Sequence, residues 1–135
     1  MAISQITLKR IPKPAVKQLD MDIEWLFKTL GLQRGRDIEK TGLMIFKKLL
    51  EFITEQGSVS TEQLSKELNM LSGKINHHIR KLIEAGLVER RKKRIYLSGE
   101  SLSVAIEEII RDIELIISDL REIAKDIEEQ LKVNP

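Results

Sequence analysis

Apolar residues return every three or four positions in two stretches of the first half of the chain, which is the spacing of helices with one buried face. The first stretch runs from Pro14 to Gly31, and its apolar positions are Val16, Leu19, Ile23, Leu26, Phe27 and Leu30. The second covers residues 37–57, ends at Gly57 and contains Gly42, where a helix can split or bend. Its apolar positions are Ile38, Ile45, Phe46, Leu49, Leu50 and Ile53. Two amphipathic helices are predicted, preceded by a short extended segment over residues 6–12.

Residues 58–85 predict two further helices joined by a tight turn. Ser60 and Gln63 have the spacing of a capping box, so a short helix is expected to begin there. Asn69 tolerates the left-handed conformation and is expected to end that helix. Ser72 is then expected to cap the second helix of this unit, which stops at Gly86. The predicted shared core contains Leu64, Leu68, Met70, Ile75 and His78 or Ile79, and the arrangement is that of a helix-turn-helix.

A basic hairpin is predicted directly after this unit. Strands are expected over residues 87–89 and 95–97, with Arg91, Lys92 and Lys93 near the tip. The sequence contains no Asn-Gly pair at this point, so the turn type stays open. A helix-turn-helix followed by such a hairpin makes a winged helix.

The stretch INHHIRKLIEAGLVERRKKRIYL resembles the recognition helix and wing of winged-helix transcription regulators of the arsenic-repressor and related types. The resemblance covers about residues 43–98, and the matching positions are His78, Ile79, Leu82, Ala85, Gly86, Leu87 and Val88. It implies a DNA-binding domain. Metal-sensing members of that family take ligands from cysteines, or from acids and histidines on the last helix. This chain has no cysteine, and its last helix has no histidine, so metal sensing is not expected.

The predicted DNA-binding residues form two groups. Helix 72–85 is expected to enter a major groove, where cationic side chains meet guanine edges or phosphates and the helix N-terminus attracts phosphate. Its candidates are Ser72, Gly73, Lys74, Asn76, His77, Arg80 and Lys81, with Asn76 on the flank of that face. The wing, residues 88–97, is expected to contact phosphates or a minor groove. Its candidates are Arg90, Arg91, Lys92, Lys93 and Arg94. A solvated basic surface is the simpler alternative for both groups.

His77 and His78 are unsuited to sharing a metal, because adjacent residues on a helix point about 100° apart and helical ligand pairs need i, i+3 or i, i+4 spacing. His78 lies beside the buried positions of the wheel and is expected to pack or to bond the backbone. His77 points to the opposite side. Neither a metal nor any other cofactor is predicted.

The segment from residue 101 to residue 131 carries three heptads of aliphatic residues. A helix of about 30 residues is roughly 45 Å long, and its stripe requires a partner surface. That surface is a second copy, making a homodimer, or the amphipathic helix at residues 14–30. The predicted dimerisation residues are Leu102, Ile106, Ile109, Ile110, Ile113, Ile116, Ile117, Leu120, Ile123, Ile127 and Leu131. The orientation of the two helices stays open.

Charge and composition narrow the function class. The overall net charge of +2 hides eight cations against two acids in residues 71–98, and ten acids against three cations in residues 100–131. A basic block beside an acidic one favours a polyanionic partner for the first. The chain has no cysteine and no apolar run long enough to span a membrane, so a soluble cytoplasmic protein is expected. No catalytic motif is found, and aromatic residues, at 4%, are sparse for binding single-stranded RNA.

The sequence therefore predicts a mainly α-helical winged helix-turn-helix protein with a small β-hairpin. We expect an N-terminal extension (1–36), a DNA-binding domain (37–98) and a coiled-coil-like dimerisation helix (99–135). The predicted function is that of a homodimeric, sequence-specific regulator of transcription that is not an enzyme. Its two recognition helices would meet successive major grooves about 34 Å apart on a pseudo-palindromic duplex. The alternative is a winged-helix protein-interaction subunit of transcription or replication machinery.

Overall fold

The computed structural model describes residues 5–33 and 40–133. The order of elements is α1 (Leu19–Thr29), α2 (Thr41–Gln56), β1 (Val59–Ser60), α3 (Thr61–Leu68), α4 (Ser72–Glu84), β2 (Val88–Arg91), β3 (Arg94–Leu97) and α5 (Leu102–Val133), with a 3-10 turn over Ser98–Glu100. The predicted fold class, mainly helical with a wing, is confirmed. Among the described helices, none is both long enough and apolar enough to cross a membrane.

Helix α1 is shorter than predicted, because residues 14–18 lie outside it. The preceding chain instead runs back along the helix. The amide of Lys9 donates to the carbonyl of Thr29 at 2.8 Å, and the indole Nε1 of Trp25 donates to the carbonyl of Ile11 at 2.9 Å. These bonds hold the segment before the helix against α1, and no β-strand is assigned to residues 5–14.

Helix α2 begins at Thr41, later than predicted, because Lys40 before it is left-handed with a φ of 53°; Gly42 therefore lies in the first turn and does not split the helix, and Ile38 lies outside the described residues. A Cβ on Gly42 would stand 3.1 Å from both His78 Nδ1 and Phe27 Cζ, so the glycine lets these side chains approach α2. Gly57 ends the helix with a φ of 83°, as predicted. Glu24 on α1 is bonded by Lys28 and by Lys40, which precedes α2, and these lysines lower the pKa of its carboxyl group.

The helix-turn-helix forms as the sequence predicts, apart from one boundary. The Ser60 hydroxyl accepts from the Gln63 amide and the Gln63 side chain accepts from the Ser60 amide, which completes the capping box of α3. Asn69 ends α3 with a φ of 54°. Ser72 is not the cap of α4. The backbone of Leu71 is extended, and its carbonyl already accepts the first helical bond, so Leu71 takes that position.

The wing is a tight hairpin whose strands differ from the predicted ones. Strands β2 and β3 pair antiparallel, with Arg91 opposite Arg94, and only Lys92 and Lys93 lie between them. Strand β1 adds to the other edge of β3, giving the order β1-β3-β2. This third strand was not predicted, because two residues are too few to show an alternating pattern.

The core lies between α2, α3, α4 and the sheet. Phe46, Leu64, Ile75 and Ile95 are completely buried there, and Phe27 from α1 packs on Phe46 with ring centroids 5.8 Å apart. Ile79 is also fully buried, whereas Leu68 and Met70 are partly buried against the same cluster. His78, between the buried and exposed faces of α4, is half-buried.

Among the described residues, those of α5 that pack on this core lie at its N-terminal end. Ile109 is buried, and Leu102, Ile106 and Ile113 pack against the core cluster. These four predicted dimerisation residues therefore have contacts within their own chain. The other seven are exposed in the single chain: Ile110, Ile116, Ile117, Leu120, Ile123, Ile127 and Leu131. Helix α1 packs on α2 and does not cover the exposed stripe, so the alternative partner surface at residues 14–30 is not the one that the fold uses. The three-part division of the chain stays a prediction.

Candidate nucleic-acid interface

The outer face of α4 is exposed along its length. Ile75, Ile79 and Leu82 are buried on the inner side, which fixes the rotation of the helix about its axis. The remaining side then presents Gly73, Lys74, His77 and Arg80 to solvent, all predicted DNA-binding residues. Lys81 is half-buried and lines a cavity together with Glu84 of its own helix and Asp112 of α5. It therefore lies at the edge of this face.

The N-terminus of α4 projects from the domain. Leu71 is 82% exposed, and no side chain of the described residues caps this end of the helix. The first amides of a helix lack partners within it and carry the positive end of the helix dipole. A Cβ on Gly73 would meet no described atom within 4 Å. The end of α4, with Ser72 and Gly73 exposed, is therefore open to close approach by an anionic backbone.

Asn76 is tied to the wing and to α3 through a three-residue network. Its Oδ1 accepts from Thr61 Oγ1 at 2.9 Å and from Arg90 NH2 at 3.1 Å, and Arg90 NH1 also donates to Thr61 at 3.2 Å. A guanidinium only donates, so the Asn76 oxygen faces Arg90 and is occupied. Bidentate contact with adenine needs both the oxygen and the amide nitrogen of asparagine. In this state Asn76 has only its amide donors to offer a ligand.

Arg94 anchors the wing to the residues that precede and begin α3. Its Nε donates to Ser58 Oγ at 2.7 Å, and its NH2 donates to the Ser58 carbonyl at 3.2 Å and to Gln63 Oε1 at 3.1 Å. Gln63 belongs to the capping box of α3. Arg94 thus joins β3 to the start of the helix-turn-helix, and its half-buried side chain has a structural function whether or not DNA is bound.

Arg91 lies on the exposed side of the hairpin among partners of its own. Its guanidinium carbon is 3.9 Å from the centre of the Tyr96 ring. Its Nε is 3.3 Å from Glu89 Oε1 and its NH2 is 3.8 Å from Glu100 Oε1. Two acids and a ring face therefore compete with any phosphate for this cation.

The tip of the wing consists of two exposed lysines in an unusual conformation. Lys92 and Lys93 have φ values of 48° and 69°. Two consecutive residues in the left-handed region are typical of a type I′ turn, which favours Asn-Gly because other side chains crowd the backbone there. The sequence thus has lysines where turn geometry favours smaller residues.

Exposed cations at both ends of the interface lack ion-pair partners among the described residues. Over residues 5–33 and 40–133, no salt bridge involves Lys74 or Arg80 on α4, or Lys92 or Lys93 on the wing. The Arg90 network holds these two elements together. The result is a protruding helix and a protruding turn, both carrying charge available to a polyanion.

The side chains of the adjacent histidines face different parts of the molecule. Their rings are 5.3 Å apart between centroids and meet edge to face, with His77 exposed and His78 turned toward α2. Within the described parts of the chain, no group of three or more histidines or acids is placed to hold a metal ion.

Two residues of the interface were not identified from the sequence. Thr61 and Ser58 are buried and hold Arg90 and Arg94 in place. Both pairs are separated by about 30 residues or more along the chain. Local spacing carries no information about such contacts. They form because β1 pairs with β3 and so lies beside the wing.

Comparison with known proteins agrees with this architecture. Residues 47–89 match the model of a family described as winged helix-turn-helix DNA-binding. The matched segment runs from α2 to the start of β2 and so contains both helices of the helix-turn-helix. The resemblance to winged helix-turn-helix regulators is confirmed at this level, since the helix-turn-helix segment is similar to that DNA-binding family. No curated protein and no solved structure gave a match.

Proposed function

We propose that this protein is a homodimeric, sequence-specific DNA-binding protein that regulates transcription and has no enzymatic activity. The observation that carries the proposal is the joint exposure of α4 and the wing tip, each with cations that form no ion pair among the described residues. A domain matching the winged helix-turn-helix family occupies the centre of the chain. Regulation and sequence specificity extend beyond that match and rest on the arrangement of the individual side chains.

In the proposed complex, α4 lies in the major groove. Lys74, His77 and Arg80 contact base edges or phosphates, and the open N-terminus of α4 receives a phosphate beside Gly73. Ser72 and Lys81 lie at the two ends of this surface, and Asn76 contributes an amide donor at its flank. The side chains of α4 supply the sequence preference, since phosphate contacts by themselves carry little.

The wing tip contacts the sugar-phosphate backbone beside that groove. Lys92 and Lys93 make the contacts, while Arg90 and Arg94 hold the hairpin at its angle to α4. Arg91 joins the contacts only if it leaves Glu89 and Glu100. This assignment narrows the predicted group of five wing cations to two direct contacts and two positioning residues.

Homodimerisation is proposed through the exposed stripe of α5. Seven aliphatic side chains on one face of a helix are 37% to 70% exposed in the single chain. A second copy supplies an identical stripe, and an identical surface on each subunit is what a two-fold dimer uses. Two recognition helices related by such an axis require a pseudo-palindromic site.

A titration of labelled DNA tests the proposal. We expect His77→Ala and Arg80→Ala to weaken binding to a duplex selected from a random pool more than binding to random duplexes, by about tenfold or more for a lost base contact. Lys92→Ala with Lys93→Ala is expected to weaken both equally. Fluorescence anisotropy at several salt concentrations measures these affinities, with light scattering giving the mass of the free protein.

Arg111→Ala provides the matched control, because it removes a cation from the exposed side of α5, away from the interface. It is expected to leave the affinity within about twofold of the unaltered protein. Unchanged binding by the wing variants would refute the wing contact. Absence of binding at low salt would refute the DNA-binding proposal and favour the alternative of a protein-interaction subunit.

A further inference from the structure

The apolar face of α5 is divided between two environments along its length. Near its start, Ala105 is 0% exposed and Ile109 is 3% exposed, because the helix lies on its own winged domain. Beyond Ile113 the same helix leaves the domain. Leu120 is 64% exposed and Ile127 is 50% exposed.

The buried and the exposed parts lie on one side of the helix. Ile109, Ile116 and Ile123 follow each other at seven-residue intervals, as do Ile106, Ile113, Leu120 and Ile127. Residues seven apart return to nearly the same angle, with a drift of only about 20° per heptad. The winged domain and the surface that covers residues 116–131 must therefore lie on the same side of α5, one after the other along its axis.

A second copy is the occupant that this stripe fits. The six exposed side chains of residues 116–131 offer at most on the order of 600 Å² per protomer, so a symmetric pair would bury up to about 1,200 Å², at the lower end of the range of specific interfaces. The stripe repeats the spacing that interlocks with an identical helix. The outer face carries acids such as Glu122 and Glu129, which disfavour an anionic lipid surface as the partner.

We propose that two copies pair through residues 116–131 with their α5 helices antiparallel. Each winged domain lies on the stripe side of its own α5, near the N-terminal end of that helix. In a parallel pair, both winged domains would therefore lie at the same end of the dimer, between the two helices. Two domains would then compete for one space, since each is fixed to its own helix through Ile109 and Ile113. In the antiparallel arrangement Val133, the last described residue of the partner's α5, lies opposite Ile113, where the helix leaves the first winged domain, and the partner's own domain lies at the opposite end.

This arrangement predicts an extended dimer. With a two-fold axis near Ile123, the two copies of Ile109 lie roughly 40 Å apart along the paired helices, at 1.5 Å per residue. The length of α5 then sets the distance between the two recognition helices, and the two winged domains do not contact each other. Half-sites on one duplex would be at least one helical turn, about 34 Å, apart.

Spin labels on the full chain test the orientation, and the inference rests on the proposed homodimer. The sequence has no cysteine, so Arg111→Cys, Lys125→Cys and Lys132→Cys each give a single labelling site. All three residues are exposed on α5, so the substitutions remove no core contact. Pulsed dipolar spectroscopy of each variant measures the distance between the two labels of a dimer.

Antiparallel pairing predicts axial separations of at least about 37 Å at residue 111 and about 25 Å at residue 132, with a much shorter distance at residue 125. Similar short distances at all three positions would show a parallel pair and overturn the orientation while leaving the homodimer. A monomeric mass with no dipolar coupling would overturn both. Loss of DNA binding with the antiparallel distances retained would overturn the DNA-binding proposal alone.

Discussion

At the scale of single residues, the interface contains side chains that the fold does not require and others that it does. Arg94 is held by Ser58 and Gln63, so its identity follows from the architecture. Gly73 is different. It lies in the first turn of α4, its φ is not in the left-handed region, and a Cβ there would meet no described atom within 4 Å. A glycine that the protein itself does not need is consistent with close approach of a ligand.

Gly73→Ala is expected to separate stability from binding. Alanine favours the helix over glycine, so the free energy of unfolding should rise by about 0.5 kcal/mol at this end position. DNA affinity should fall, because the added methyl group enters the space proposed for a phosphate. Thermal or urea unfolding followed by anisotropy titration measures both effects.

Gly57→Ala serves as the contrasting control for that substitution. Gly57 also has open space around it, but its φ of 83° strains any other residue. It should lose about 1 kcal/mol of stability or more while leaving DNA affinity unchanged in the folded protein. A Gly73→Ala variant that bound DNA normally would argue against phosphate contact at this position.

At the scale of elements, the wing combines a well-anchored base with a strained tip. Arg90 and Arg94 bond the two strands to α3 and α4. The tip places Lys92 and Lys93 in left-handed conformations that cost on the order of 1 kcal/mol each relative to residues suited to the turn. Retaining two lysines there is understandable if their charges, not their turn propensity, are what the protein uses.

Replacing the tip with Lys92→Asn and Lys93→Gly is expected to stabilise the protein and weaken its binding. The free energy of unfolding should rise by about 1 kcal/mol, because Asn-Gly suits a type I′ turn. The slope of log affinity against log salt should become shallower by about 4 per bound dimer, since two phosphate contacts are lost from each of its two subunits. Unfolding curves and anisotropy titrations over a salt series measure these two quantities.

Arg121→Gln with Lys125→Gln removes the same number of cations from α5 and is the matched control. It should leave the salt slope close to that of the unaltered protein, because both residues lie outside the proposed interface. If the tip variant kept the original slope, the lysines would be solvated surface and the turn would have no part in DNA binding.

At the scale of the whole molecule, opposite charges are sorted to different parts. Cations cluster on α4 and the wing, while residues 114–132 of α5 carry six acids against three cations. The apolar stripe would hold the dimer against repulsion between these acidic helices. DNA binding, in contrast, depends on attraction between unlike charges.

Salt should therefore move the two equilibria in opposite directions. Raising monovalent salt from about 50 mM to about 200 mM should leave self-association unchanged or tighten it a few fold, because like charges are screened. DNA affinity should fall by at least about tenfold over the same range. Sedimentation velocity on the free protein and anisotropy on the complex measure the two responses.

A Leu120→Glu variant tests the basis of that dimer, because it places a charge in the middle of the exposed stripe. This variant should be monomeric. Its winged domain should unfold at close to the same temperature as the winged domain of the unaltered protein, since Leu120 does not contact the core. In the unaltered protein, self-association that weakened with rising salt, as DNA binding does, would show that charges and not the stripe join the two copies.

The sequence by itself determined the features that depend on neighbours along the chain. The capping box of Ser60 and Gln63, the left-handed Asn69, the ends at Gly57 and Gly86 and the long helix α5 follow from bonds within a few residues. The buried face of α4 likewise follows from its helical periodicity, so the outer face, which carries the proposed DNA contacts, could also be predicted. The helix-turn-helix and the wing are therefore recognisable from local patterns along the chain.

Only the tertiary structure decided which exposed groups are occupied and which are open. It assigned Arg90 and Arg94 to partners far away in sequence, put both tip lysines in left-handed conformations and added β1 to the sheet. It also divided one uniform stripe on α5 into a part packed on the core and a part left open. Periodicity shows that a face is apolar, but which surface covers each part of it depends on packing between elements distant in the chain.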